Sequence, residues 1–246
     1  MLINLWSTPR TGSNWYSQYL YKKYISENQR TILYNQFLNY YHLINYTKPN
    51  YNDFVYEYDR GCSFKSYEFD YLREAITYTH IQKQRQRNSH DEEKYRLELL
   101  TKHNHKKNPS IFYSHVAPMS NLAYSTLFEM ADKNIFLYRK DIKRQISSYA
   151  LAYGTTQYKP NKAQVYEDVN VDYGVIKNLV DRIILWYQLD KTNCEVVCFE
   201  NLEFGFDSTL PKQQNKLDPF NQLSVDTQKH ILNLLDYFSL QVGKIS

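Results

Sequence analysis

STPRTGSNW, Ser7 to Trp15, lies between a predicted strand and a predicted helix. Before it, Leu2 to Trp6 form an apolar run with one polar interruption, which is typical of a buried strand. After it, one face of a helix is predicted from the spacing of Tyr16, Tyr19, Leu20 and Tyr24. The loop amides and the first free N–H groups of such a helix point at one place, where the helix dipole favours negative charge. The stretch therefore predicts an anion-binding loop, and the alternative is a strand–helix turn that holds no ligand.

This loop differs from the Walker A loop of ordinary ATPases. Walker A requires GxxxxGK[ST], with the lysine on the terminal phosphates, and here neither the spacing nor a lysine after the glycine is present. Instead, Arg10 offers a forked cation, Thr11 and Ser13 offer hydroxyl groups, and Gly12 lets the backbone approach a ligand closely.

The bulk composition narrows the classes of protein that fit. The chain has 246 residues and a net charge of +4, which suits an acidic ligand but is weaker than the charge expected of a dedicated nucleic-acid binder. Its three cysteines give no fully paired disulfide framework and no common metal signature, so we expect reduced thiols and a cytoplasmic protein. No stretch approaches the roughly 18 apolar residues of a membrane span. Because the first predicted strand begins at Leu2, we expect the chain to carry no leader peptide.

Strands and helices alternate over most of the chain. The predicted strands are Leu2–Trp6, Ser110–Val116, Asn134–Tyr138 and Glu195–Phe199, and the later predicted helices are Ser120–Ala131, Ile142–Tyr153, Val171–Asp190 and Ser224–Leu240. The apolar face of the helix that Gly154 ends is formed by Ile142, Ile146, Tyr149, Ala150 and Tyr153. This alternation predicts an α/β fold with a central parallel sheet.

Residues 31–108 are predicted to be an insertion that shapes a ligand cleft, within one domain of residues 1–246. Thr31–Tyr41 fits either a strand and loop or a short helix, Thr47–Ser66 is predicted to be loop because of its Pro, Gly, Asn and Asp, and Tyr67–Lys102 favours helix. Thr155–Asp168 is predicted to be a surface loop that acts as a lid.

A second motif, YRKDIKRQISSYALA, spans Tyr138 to Ala152. Arg139 follows a strand end, and Ser147 lies eight positions later, two turns into the next helix. Three more cations flank this serine, namely Lys140, Lys143 and Arg144. The motif predicts a site for a second phosphate group, and the alternative is a solvated basic helix face.

Together the two motifs resemble those of sulfotransferases that use 3′-phosphoadenosine 5′-phosphosulfate (PAPS), especially bacterial glycan-type and trehalose-type enzymes and the cytosolic enzymes. That family has a PKSGTTW-like or PRTGS-like loop after its first strand, and an arginine at a strand end with a serine eight residues later. CFENL, Cys198 to Leu202, is also similar to the YEDL element of the family. The resemblance implies a P-loop NTPase-like three-layer sandwich and the transfer of a sulfuryl group to a hydroxyl, or an amine, of a small molecule or glycan.

The resemblance also implies roles for individual residues. Arg10 would contact the bridging and sulfuryl oxygens and Trp15 would pack near the adenine, while the 5′-phosphate would be cradled by Thr11, Gly12, Ser13 and Asn14. Arg139 and Ser147 would bind the 3′-phosphate. Sulfuryl transfer needs positioning and charge stabilisation, and no metal is required for it.

The catalytic base is assigned to His115. YSHVAP, Tyr113 to Pro118, resembles the KTHLP-like segment that supplies a histidine in cytosolic sulfotransferases, and an imidazole with an ordinary pKa of about 6.5 suits base catalysis near neutrality. The alternative is a strand-end histidine with a structural role. Glycan-type relatives use a glutamate after the first helix that this chain lacks, which leaves His42, Glu57 and Glu68 as other candidates.

Other patterns and functions stay open at this point. His90, His103 and His105 lie in a charged segment without a matched set of metal ligands, and Lys212 and Lys216 are further candidate contacts of the 3′-phosphate. Two other functions are compatible with the loop: a nucleotide-dependent kinase, which the missing Walker lysine disfavours, and a non-catalytic nucleotide- or glycan-binding protein of the same fold.

Overall fold

The structure is a computed structural model that describes residues 1–13, 16–17, 19–20, 31–35, 55–58, 93–94, 97–98, 100–101, 110–115, 120–156, 165–202 and 218–243; for 31–35 and 55–58 it gives the strand backbone. The chain forms two compact units. The first comprises Met1–Trp6 and Tyr16–Phe136, and the second comprises Ser7–Trp15 and Leu137–Ser246.

The described strands form a six-stranded sheet. They are β1 (Leu2–Ser7), β2 (Thr31–Asn35), β3 (Val55–Tyr58), β4 (Ser110–His115), β5 (Lys133–Tyr138) and β6 (Glu195–Cys198), in the order β3-β2-β4-β1-β5-β6. The four strands β2, β4, β1 and β5 form a parallel sheet, in which Leu33 is opposite Ile111 and Leu5 is opposite Ile135. With the helices described below, this confirms the predicted α/β class.

In the first unit, β1 is buried along its whole length, as a strand inside a parallel sheet should be. The polar interruption of its apolar run, Asn4, donates to the carbonyl of Leu127 in helix α1 (Asn121–Met130) and to Oδ1 of Asn134. Trp6 Nε1 donates to the same Asn134 oxygen at 2.8 Å. A buried amide thus joins β1, β5 and α1. Helix α1 begins beside Ser120, the predicted first residue of the helix, which caps it because Ser120 Oγ accepts from the N–H of Ala123.

In the second unit, three helices pack around one apolar core. They are α2 (Ile142–Gly154), α3 (Tyr173–Gln188) and α4 (Val225–Val242), and their caps are Asp141, Asp172 and Ser224. The fully buried members of the core include Ile146, Ala150, Ile176, Val180, Ile231 and Leu234. These helices and β6 match the predicted elements to within a few residues.

Two details of the prediction were wrong. Val55–Tyr58 lies inside the stretch that we predicted to be loop, yet it forms β3, antiparallel to β2. The strand is only four residues long. The turn-forming residues around it indicate a loop more strongly than so short a segment indicates a strand. Tyr153, predicted on the apolar face of α2, is 44% exposed, because Leu151 and Ala152 take the buried positions in the last turn.

Two other features bear on the predicted organisation. No helix in the described part of the chain is long and apolar enough to cross a membrane. The assignment of residues 1–246 to one domain, with an insertion at 31–108, stays a prediction.

Candidate functional site

The loop after β1 contains two residues in the left-handed backbone region. Arg10 has φ 65° and Gly12 has φ 87°, and only glycine adopts such values at little cost. Between them, Thr11 donates from both its N–H and its Oγ1 to the carbonyl of Thr8, at 3.4 and 2.9 Å. The chain therefore makes a tight turn whose conformation at Arg10 has to be held by neighbouring groups.

Gly12 is also a point of close approach. A Cβ atom added there would lie 2.6 Å from Cδ2 and 2.8 Å from Cζ of Phe199, and closer still to Cε2. Phe199 begins a short 3-10 turn, Phe199–Asn201, directly after β6. The glycine is thus required twice, once for its φ and once because the Phe199 ring fills the space of a side chain.

Helix α2 holds the loop through two polar side chains one turn apart. Gln145, almost fully buried, donates from Nε2 to Thr8 Oγ1 at 2.8 Å and to the Pro9 carbonyl at 2.7 Å. Ser148 Oγ accepts from Arg10 Nε at 3.1 Å. Both residues were absent from the sequence-based site, although their spacing of three positions places them on one face of the helix.

Arg139 connects the strand end to the same loop. Its Nη1 donates to the Arg10 carbonyl at 3.1 Å, and the guanidinium lies 5.0 Å from the centre of the Phe199 ring. Its Nε is 3.4 Å from Glu200 Oε1, but the alignment is too poor for a hydrogen bond, so this buried N–H has a charge partner without an aligned acceptor. Burial lowers the pKa of Arg139 and Glu200 opposes this effect; a guanidinium stays protonated at neutral pH.

Glu200 is a further residue of this cluster. Its carboxylate accepts from the backbone N–H groups of Lys140 and Asp141, at 3.0 and 3.5 Å, and from the Cys198 thiol at 3.3 Å. Burial raises the pKa of Glu200, but these hydrogen bonds outweigh it, and the pKa lies below its ordinary value. Its position in the CFENL element was the sequence signal for it.

The predicted basic face of α2 is only partly directed at the loop. Lys140 Nζ is 3.5 Å from Asn201 Oδ1, and Lys143 Nζ lies 3.8 Å from the centre of the Phe220 ring. Ser147 is fully buried, and its hydroxyl donates to the Lys143 carbonyl at 2.8 Å. Of the predicted second-phosphate residues, Arg139 therefore touches the loop directly, whereas Ser147 is engaged within its own helix.

His115, the candidate base, ends β4 and belongs to the first unit. Its Nε2 is 3.5 Å from the Tyr113 hydroxyl, and the two rings meet edge to face with their centres 5.5 Å apart. The histidine is half-buried. Its role as a base stays a prediction.

Within the loop itself, the structure describes Thr11 and Ser13 as buried, with Ser13 in helical conformation. Several predicted residues lie outside the described residues: Asn14, Trp15, His42, Glu68, His90, His103, His105, Lys212 and Lys216. Glu57 is described only as a backbone position of β3, opposite Ile32.

The chain was compared with families and proteins that are already known. No family model matches it, and neither does any curated protein or any solved structure. The functional interpretation therefore depends on the site.

Proposed function

We propose that this protein is a PAPS-dependent sulfotransferase with a P-loop-like three-layer fold. It would transfer the sulfuryl group of PAPS to a hydroxyl of a small molecule or glycan. The proposal combines the resemblance of the two motifs with the geometry of the loop.

The observation that carries the proposal is the hydrogen bond between Arg139 Nη1 and the Arg10 carbonyl. It joins two motifs that are 129 positions apart in the sequence. A nucleotide with phosphate groups at both ends of its ribose needs two cationic sites a short distance apart. The contact supports such a pair by bringing Arg139 to the backbone of Arg10. A site with two cations would favour PAPS over ATP, which has no 3′-phosphate.

The residues present fit such a ligand. Gly12, with φ 87°, allows the tight turn of the loop, and the Arg139 guanidinium, whose Nε lies beside Glu200, donates from Nη1 to the loop carbonyl of Arg10. When bound, PAPS would supply the activated sulfuryl group. Arg10 would hold the oxygens on which negative charge develops, and Arg139 would bind the 3′-phosphate. Ser147 could join Arg139 only if its hydroxyl left the Lys143 carbonyl.

The acceptor side of the reaction is assigned to His115. One of its imidazole nitrogens would take the proton of the acceptor hydroxyl as the new bond to sulfur forms. We expect His115→Ala to lower the transfer rate and to leave the affinity for 3′-phosphoadenosine 5′-phosphate (PAP), the desulfated product, unchanged. A variant with full turnover would remove His115 as the base.

A thermal-shift panel tests the function. PAPS and PAP should stabilise the wild-type protein, by about 2.7 kcal/mol at a concentration about 100 times Kd, and Arg10→Ala or Arg139→Ala should abolish most of this shift. Lys229→Ala is a matched control, because this exposed lysine of α4 contacts Asp226 within its own helix. Stabilisation by Mg²⁺ and ATP but not by PAP would overturn the proposal in favour of a kinase, and binding of PAPS without transfer to any hydroxyl acceptor would favour a non-catalytic binding protein.

A further inference from the structure

Two adjacent serines of α2 have different environments. Ser147 is fully buried and its hydroxyl donates to the Lys143 carbonyl. Ser148 is half-buried, and its Oγ accepts from Arg10 Nε at 3.1 Å. Ser147, which lies eight residues after Arg139, thus bonds within its own helix, whereas Ser148 contacts Arg10 of the loop.

The hydrogen-bonding capacity of a serine gives this difference a chemical meaning. A hydroxyl carries one donor and two acceptor lone pairs, and the bond from Arg10 uses only an acceptor. In the described part of the chain, the Ser148 O–H donates to no other group. A cation and a hydroxyl proton therefore lie side by side, which is an arrangement that suits a shared oxyanion.

We propose that Ser148 is a further binding residue, which donates its hydroxyl proton to the oxyanion held by Arg10. Because Arg10 is assigned to the sulfuryl end of PAPS, Ser148 would contact the sulfuryl oxygens and not the 3′-phosphate. The identity of this ligand rests on the proposed function. The pairing of Ser148 with Arg10 rests on the structure and applies to any tetrahedral oxyanion at the loop.

The pair Ser148→Ala and Ser147→Ala tests this inference in the full chain, with affinities for PAPS and PAP measured by calorimetry without acceptor. Loss of one hydrogen bond to a charged group should weaken PAPS binding by Ser148→Ala about tenfold or more. PAP lacks the sulfuryl group, so its affinity should fall less. Ser148→Thr keeps the hydroxyl and should restore PAPS binding. Ser148→Ala should melt about 2–4 °C below the wild type, because it loses about 1 kcal/mol from the hydrogen bond with Arg10.

The outcomes separate this inference from the proposed function. If Arg10→Ala loses PAPS binding while Ser148→Ala keeps it, or if Ser148→Ala weakens PAPS and PAP equally, the role of Ser148 is wrong and the function stands. If the wild-type protein binds neither nucleotide, the proposed function is wrong. Inorganic pyrophosphate then tests Ser148 alone, and equal affinity of wild type and Ser148→Ala, or no binding by either, overturns the inference.

Discussion

Gly12→Ala perturbs the point where the loop meets the end of β6. The substitution adds one methyl group to a residue with φ 87°, at a place where the Phe199 ring already fills the space. Phe199 cannot move without consequence, because it is buried and lies against the Arg139 guanidinium. One methyl group should therefore disturb both the loop and the arginine that supports it.

Two separate effects set the magnitude. A non-glycine residue in this backbone region costs about 1–3 kcal/mol, and forcing an extra methyl group into a filled space costs about 1–3 kcal/mol more. We therefore expect Gly12→Ala to lower the free energy of unfolding by about 2–6 kcal/mol. In the double variant Gly12→Ala/Phe199→Leu the ring is replaced by a smaller side chain. This should recover the free energy lost to the steric clash but not the free energy lost to backbone strain.

Urea unfolding of the single and double variants measures both parts in one mutant cycle. Gly243→Ala is the comparison variant, because this glycine at the end of α4 has an ordinary φ of −63° and an added Cβ would meet a single close atom, the Ser239 carbonyl oxygen at 3.1 Å. It should lower stability by no more than about 1 kcal/mol. A loss below about 0.5 kcal/mol in Gly12→Ala, or a double variant that recovers nothing, would refute the steric argument.

Three further predictions concern groups around the loop and the strand ends. Gln145→Glu replaces the donors to Pro9 with a buried carboxyl whose pKa should be raised, so its stability deficit in urea should grow as the pH rises above about 4.3; a deficit independent of pH would contradict the buried contact. The pKa of Glu200 is lowered in the folded protein. Glu200 therefore stabilises the fold fully at pH values above its pKa in the unfolded chain, about 4.3, and this stabilisation is lost as the pH falls. Urea midpoints should then decline more steeply on acidification in the wild type than in Glu200→Gln, and parallel declines would disprove this. His115→Ala should leave the calorimetric affinity for PAP intact, and a large loss would place His115 in the nucleotide site.

The sequence predicted the parts of the fold that have strong periodicity. Leu2–Trp6 is an apolar run with one polar interruption and lies in β1. Helices α1 and α4 begin beside Ser120 and Ser224, where helices were expected to start. β3 was missed because its four residues stand among turn formers, and its formation depends on pairing with β2.

The candidate site was predictable only where residue type itself carries chemistry. Arg10 and Arg139 stand out as cations beside strand ends, but their contact through a backbone carbonyl is a tertiary feature that spacing alone does not contain. Gln145 was overlooked because a polar residue in an amphipathic helix is usually solvated, whereas here it is buried against the loop. Ser147 and Ser148 differ only in the direction that the helix gives them, which a one-residue shift in spacing changes by about 100°.

The most direct test of the two-phosphate site is a calorimetric comparison of PAP with adenosine 5′-monophosphate, which differ only in the 3′-phosphate. The wild-type protein should bind PAP at least tenfold more tightly, the effect of about one charge-assisted hydrogen bond. Arg139→Ala should reduce this preference to nearly none, since the group that would hold the 3′-phosphate is gone. Equal affinity of the wild-type protein for the two nucleotides, or a preference that survives in Arg139→Ala, would contradict the account.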